Sequence, residues 1–333
     1  MGRELAIATK GLTKQFNRHL AVRDVDLEVE MGEVYGLIGP NGAGKTTLIR
    51  MLAAAEDPTI GEIYINGNQM LRDRRNPTIK RHLGYLPDDF PLYEDLSVWD
   101  YLEYFARLYH LQEPERSRRL HEVLDLVSLT HKRKSPIPSL SRGMRQRLSL
   151  ARTIIHQPLL LLLDEPVSGL DPVARSQFRD IIHALREAGM TILISSHVLS
   201  DLEEMCTSIG IMELGYLVES APLMELYRRL SRQHIQISVI SPAPNLEATL
   251  DQHPLVDQWS WVDELSRRQR LGDRSPSDSS SIRQLRVEFS GEVADSAELL
   301  RSLVTAGVTV TEFHTVHETL EDIFFKIDHK QSA

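Results

Sequence analysis

Apolar and polar positions alternate over the first part of the chain. LAIATKGLTKQF, VDLEVEMG and EVYGLIGP each read as a strand. A glycine-rich turn follows. TTLIRMLAAAE then has helical spacing, and Asp57-Pro58 is expected to close it, because proline cannot continue a helix. GEIYING predicts a further strand that ends in an Asn66-Gly67 hairpin turn. From residue 95 to about 158 the period becomes helical. SVWDYLEYFARLYHL puts Trp99, Leu102, Tyr104 or Phe105, and Leu108 at helical spacing, with Ser97 placed to cap. RSRRLHEVLDLVSL is a second amphipathic helix, and the two prolines of HKRKSPIPS break the pattern. LLLLLDEP then reads as a buried strand. PVARSQFRDIIHALREAG is a helix with Pro172 in its first turn and Gly189 at its end. TILISSH and IGIME are the next strands. Such alternation predicts an α/β fold, a mainly parallel sheet flanked by helices.

The style changes near residue 220, which suggests a nucleotide-binding domain over 1–220 and an accessory domain over 221–333. The second part predicts strand 234–240, helix 246–252, strand 255–262, strand 284–289, helix 295–306, strand 308–314 and helix 317–327. The first six have the βαββαβ order of a ferredoxin-like split unit, a small α+β domain. The polar segment 266–281 is expected to be a loop.

The first chemical signal is Gly39-Pro40-Asn41-Gly42-Ala43-Gly44-Lys45-Thr46-Thr47. It follows a strand and opens a helix, the setting that wraps backbone N–H groups around a phosphate. A chance match in a chain of this length is on the order of one in a hundred. Lys45 is the residue for the β- and γ-phosphates, and Thr46 offers a hydroxyl to Mg²⁺. The second signal is the leucine run ending in Asp164 and Glu165. Carboxylates at the exit of a buried strand are costly without a task. Asp164 suits Mg²⁺, and Glu165 suits polarising a water. The third is Leu140-Ser141-Arg142-Gly143-Met144-Arg145-Gln146-Arg147, which opens a helix upstream of Asp164.

Together these segments resemble the ATP-binding cassette (ABC) ATPases over residues 4–220. Leu140–Arg147 is similar to the family's signature segment, with Arg142 in place of the usual first glycine and Met144 in place of glutamine. The Ser-basic-Gly-Met form resembles exporter ATPases whose membrane subunit is a separate polypeptide. The resemblance implies that Ser141, Arg142, Gly143 and Met144 serve the γ-phosphate of a second ATPase subunit, identical or paralogous. It implies that Ser168-Gly169-Leu170-Asp171 is the D-loop at the dimer interface. His197 falls at the switch histidine, and Phe16 at the aromatic that stacks on adenine. Gly84-Tyr85-Leu86-Pro87-Asp88 resembles the Q-loop, but Asp88 stands where glutamine is usual, with a shorter reach to Mg²⁺. Leu320-Glu321-Asp322-Ile323-Phe324 looks like the ending of many such exporter subunits.

Composition narrows the partners. The 333 residues carry 38 Lys+Arg and 47 Asp+Glu, a net charge of −9, so a nucleic-acid partner is not expected. A single cysteine, Cys206, excludes a disulfide framework within the chain and any multi-cysteine zinc site. No stretch approaches the apolar length that spans a bilayer, and the opening residues do not read as a secretory signal. The expected picture is an ATPase at the cytoplasmic face of a membrane, binding ATP and Mg²⁺ and driving a transmembrane permease subunit. A soluble ABC ATPase acting on ribosomes or DNA is the alternative. The former carry two cassettes and the latter long coiled coils, and neither is seen here. A non-catalytic nucleotide sensor is a third reading, motivated by Arg142 and Asp88 and opposed by Lys45, Asp164, Glu165 and His197.

Overall fold

The computed structural model describes residues 4–71, 76–230, 233–241, 243–262, 282–291 and 293–316. The chain divides into two compact units, Met1–Met224 and Glu225–Ala333.

The first unit opens with β1 (Leu5–Phe16), β2 (His19–Val25), β3 (Glu28–Glu30) and β4 (Val34–Ile38). After α1 (Lys45–Leu52) come β5 (Ile60–Ile65), β6 (Asn68–Gln69), α2 (Pro77–Arg81) and β7 (Leu83–Leu86). Three helices follow: α3 (Val98–Leu108), α4 (Glu115–Leu126) and α5 (Arg142–Ile154). The unit continues with β8 (Leu160–Leu163), α6 (Pro172–Glu187), β9 (Thr191–Ser196), α7 (Leu199–Glu203), β10 (Ser208–Glu213) and β11 (Tyr216–Pro222). A last helix, α8 (Leu223–Leu230), crosses the boundary between the units.

The central sheet has the order β11-β10-β4-β9-β8-β7. All its pairs are parallel except β10–β11. β4, β8 and β9 are buried at every position, as continuous runs such as Leu160–Leu163 require when helices cover both faces. A smaller antiparallel sheet, β2-β1-β5-β6 with β3 on β1, stands beside it. Ile7, Val22 and Ile63 from this sheet share one apolar cluster with Leu37, Leu48 and Leu162. α3, α4 and α5 pack on one another as a helical part.

Two local expectations need correction. α1 stops at Leu52, well before Asp57-Pro58. Ala54 turns left-handed at φ 51°, and the N–H groups of Ala55 and Glu56 both return to the Arg50 carbonyl, so the chain closes its own helix end. The second error concerns HLAVRDV, which forms β2, a full strand that VDLEVEMG meets only at Val25. Its hairpin turn is made by Asn17 at φ 50°, a residue that tolerates the left-handed region without glycine. At Asn66-Gly67 both residues are left-handed, as a two-residue hairpin turn demands.

In the second unit β12 (Gln233–Ile240), α9 (Leu246–Gln252), β13 (Val256–Trp261), β14 (Ile282–Phe289), α10 (Val293–Thr305) and β15 (Val310–Val316) follow in turn. Its sheet has the order β13-β14-β12-β15, antiparallel throughout, which is the split βαβ arrangement. Ile235, Ile237, Val287 and Phe289 pack on Leu250, Leu299 and Leu303 to give this unit a core of its own. Helix 317–327, loop 266–281 and the ending at Leu320–Phe324 lie outside the described residues.

Candidate nucleotide site

Parallel strands bring their carboxyl ends to one edge of the sheet, where open α/β sheets bind ligands. Here β4 delivers the Gly39–Thr47 loop, β8 delivers Asp164 and Glu165, and β9 delivers Ser195, Ser196 and His197. β7 delivers Asp88. Residues far apart in sequence thus meet because their strands are neighbours.

The loop is shaped by close approach. A side chain at Gly39 would put its Cβ 2.2 Å from the Met212 carbonyl oxygen. At Gly44, with φ 104°, it would lie 2.3 Å from the Ala21 carbonyl oxygen. Only glycine fits either position. The α1 N-terminus has no side-chain cap, so its first-turn N–H groups are left for a ligand. Lys45 is buried at 5% exposure and donates to the carbonyls of Gly39 at 2.7 Å and Pro40 at 3.3 Å.

The carboxylates are held differently. Asp164 is fully buried, and its Oδ1 accepts from Ser195 Oγ at 2.8 Å and Thr46 Oγ1 at 3.1 Å. Its Oδ2 is buried with no protein donor. Burial raises the Asp164 pKa above the usual carboxylate range. The two hydroxyl donors oppose this, while Asp88 and Glu165 add to it. Glu165 has φ 48°, an uncommon conformation for a non-glycine residue, and its N–H donates to the same Ser195 Oγ at 3.0 Å. Glu165 Oε1 lies 3.4 Å from Lys45 Nζ, and its Oε2 lies 2.8 Å from His197 Nδ1. Asp88 is also raised, by burial first and then by Glu165 and Asp89, against the opposing charges of Arg142 and His197.

A cleft of about 330 Å³ opens here, lined by Phe16, His19, Ala21, Asn41 to Thr47, Asp88 and Glu165. Phe16 is 41% exposed, and Lys14 Nζ stands 4.8 Å from its ring centre. The structure thus gathers Phe16, the glycine loop, Asp88, Asp164, Glu165 and His197. It does not bring the Ser141–Met144 segment or Asp171 to this cleft. Ser141 caps α5, accepting from the Met144 N–H at 3.3 Å, and Asp171 caps α6, accepting from the Ala174 N–H at 2.9 Å. Arg142 Nη2 donates to the Ser168 carbonyl at 3.0 Å. Sequence reasoning missed Ser195, which holds both Asp164 and Glu165. Its signal was present: a serine that ends the apolar run Ile192–Ile194.

The site suits a magnesium nucleotide. A buried, ionised carboxylate oxygen without a donor is costly and is relieved by a cation, and Thr46 Oγ1 donates to the other oxygen of the same carboxylate. An open helix N-terminus and a buried lysine are the donors that phosphates need. Fold and site together define a P-loop nucleotide-binding cassette.

Comparison with known proteins places it further. The ABC transporter family model matches residues 22–168. The ABC transporter ATP-binding protein YxlF of Bacillus subtilis (strain 168) is 32% identical over 323 residues, 97% of this chain and 99% of the relative. The bacitracin transport ATP-binding protein BcrA of Bacillus licheniformis is 36% identical over 248 residues, 74% of this chain and 79% of the relative. A solved structure of an ATP-binding subunit of an ABC transporter aligns with TM-score 0.60 and 32% identity, covering 67% of this chain and 92% of that one. The chain belongs to the ATP-binding proteins of ABC transporters, a family of ATPases that bind ATP. Among the described residues no helix is long and apolar enough to cross a membrane.

Proposed function

We propose that this chain is the ATP-hydrolysing subunit of an exporter and drives a separate transmembrane subunit as a head-to-tail dimer. The observation that carries the hydrolytic part is Glu165 held between Lys45 at 3.4 Å and His197 at 2.8 Å. A carboxylate positioned in this way can take the proton of an attacking water. His197 orients the carboxylate through Oε2. Lys45 offers its charge to the β- and γ-phosphates and Phe16 its ring to the base. Thr46 and Asp164 would hold Mg²⁺, which when bound neutralises phosphate charge. Asp88 lines the cleft on the segment between β7 and α3, the first helix of the helical part, so it is the residue we assign to coupling with the membrane subunit.

The signature segment supports the dimer. Ser141 and the N–H of Gly143 stand at the start of α5, a helix N-terminus away from the chain's own cleft. Such a terminus suits the phosphate of a second subunit. The Ser141–Met144 form supports export, and the likeness to the bacitracin transport ATP-binding protein BcrA supports transport.

The test is Glu165→Gln. The amide cannot take up a proton as the carboxylate does, and it removes a negative charge beside the γ-phosphate. ATP at millimolar concentration should bind, hydrolyse very slowly and shift the protein from monomer to dimer in light scattering after size exclusion. Adding Ser141→Arg should abolish the shift. A double variant that dimerises as well as the single one would remove the signature segment from the shared site.

A further inference from the structure

Arg142 occupies the first turn of α5, where a cation opposes the helix dipole. A residue in that place needs a compensating partner, and the structure gives it one within the same chain. Nη2 donates to the Ser168 carbonyl at 3.0 Å. Gly169 lies flat on the guanidinium. A Cβ there would stand 2.6 Å from Nη2, 2.7 Å from Cζ and 2.8 Å from Nη1. The Ser168 N–H in turn donates to the Glu165 carbonyl at 3.1 Å, closing the turn that leaves the catalytic carboxylate.

The two helix starts meet at the same place. A Cβ on Gly143 would lie 2.7 Å from that of Ala174, in the first turn of α6, so α5 and α6 touch directly below this turn. Glu165 itself is held at φ 48°, a conformation that persists only when its surroundings fix it. Ser195 fixes it from one side through its N–H. The Ser168 turn fixes it from the other.

We propose that Arg142 is a positioning residue for Glu165 in its own subunit, acting through the Ser168–Gly169 turn. Its side chain works in cis, although its backbone belongs to the segment proposed to serve the partner's phosphate. The segment therefore joins two sites: what happens at the start of α5 is transmitted to the carboxylate that takes the proton of the water attacking this subunit's own ATP. The guanidinium is suited to the task because it is planar and offers several fixed donors, so one face can support Gly169 while an edge donates. The charge of Arg142 also reaches Asp88, which it lowers against the rise caused by burial and Glu165.

This inference rests on the proposal that Glu165 hydrolyses ATP, and the controls separate the two. Steady-state phosphate release by the full chain is measured for wild type, Arg142→Ala, Arg142→Lys, Gly169→Ala and Arg142→Ala/Gly169→Ala, with Lys45→Ala as the control. Arg142→Ala should lower kcat by about 10- to 100-fold, the scale of a misplaced catalytic group, and leave KM for ATP near wild type. Lysine keeps the charge without the plane and should recover part of the rate. The methyl of Gly169→Ala displaces the guanidinium, so it should slow the wild type more than it slows Arg142→Ala. That non-additivity is the signature of direct contact. Additive effects, or a wild-type kcat in Arg142→Ala, overturn the inference. Activity in Lys45→Ala would instead remove the hydrolytic reading itself. Finally, Arg142→Ala in the Glu165→Gln background should still dimerise with ATP. Loss of that dimer would show that Arg142 serves the partner's phosphate, and the cis role would fail.

Discussion

A buried carboxylate with one oxygen unpaired is the most informative single group in this molecule. Asp164 keeps two hydroxyl donors on Oδ1 and none on Oδ2. Its pKa is raised in the fold, so the native state holds the proton more tightly than the unfolded chain does. The cost of the ionised form is therefore absent below the unfolded value, about 3.9, and complete once pH exceeds the raised native value. Asp164→Asn removes that cost and keeps an oxygen to accept from Ser195 and Thr46. Without ligand, the variant should melt higher than wild type at pH 7, and the gap should close as pH falls through the carboxylate range. With MgATP the order should reverse, because the wild-type carboxylate would hold the cation and the amide would not. Thermal melts at several pH values, with and without MgATP, check both halves. A variant that melts no higher at neutral pH would mean that ionised Asp164 is not a strained group.

At the scale of elements, the contact between α5 and α6 gives a clean prediction. Gly143 belongs to the signature segment, and a Cβ there would stand 2.7 Å from the Ala174 Cβ of α6. Gly143→Ala should destabilise the first unit by about 1–3 kcal/mol, the usual result of overpacking. Ala174→Gly removes the opposing methyl, so the double variant should regain part of the loss in denaturant melts. No recovery would place the strain elsewhere. Much of this level was legible in the sequence. The Gly39–Thr47 loop, the Leu160–Leu163 strand and the Ser97 cap all depend on near neighbours, and near neighbours are what periodicity and spacing report. β2 was missed because its turn uses Asn17 rather than glycine. The end of α1 was misplaced because its closure depends on carbonyls inside the helix and not on the proline beyond it. The partners of Ser195 and Arg142 were illegible for another reason: they are distant in sequence and are brought close only by the fold.

At the scale of the whole molecule, every residue assigned to the nucleotide lies in the first unit, which has its own sheets and apolar cluster. The second unit has a separate core. A chain ending near residue 230 should therefore fold and bind ATP with wild-type affinity, read by calorimetric titration. A soluble, folded truncation that no longer binds ATP would show that the second unit completes the cleft. What the second unit does is then a question for the partner-stimulated rate, which the truncation should alter more than it alters binding.

The strand order of the central sheet also sets a timetable. β4 lies between β9 and β10, and its five residues are buried throughout. Its partner β9 is encoded about 160 residues later, so at a synthesis rate of about 5–20 residues per second β4 waits roughly 8–32 s on the ribosome for a neighbour. Through that interval the apolar strand that carries the phosphate loop has neither of its flanking strands. The newborn cassette thus passes through a period when this apolar strand lacks both of its neighbours, which makes translation speed and chaperone capture expected determinants of how much working ATPase a cell obtains.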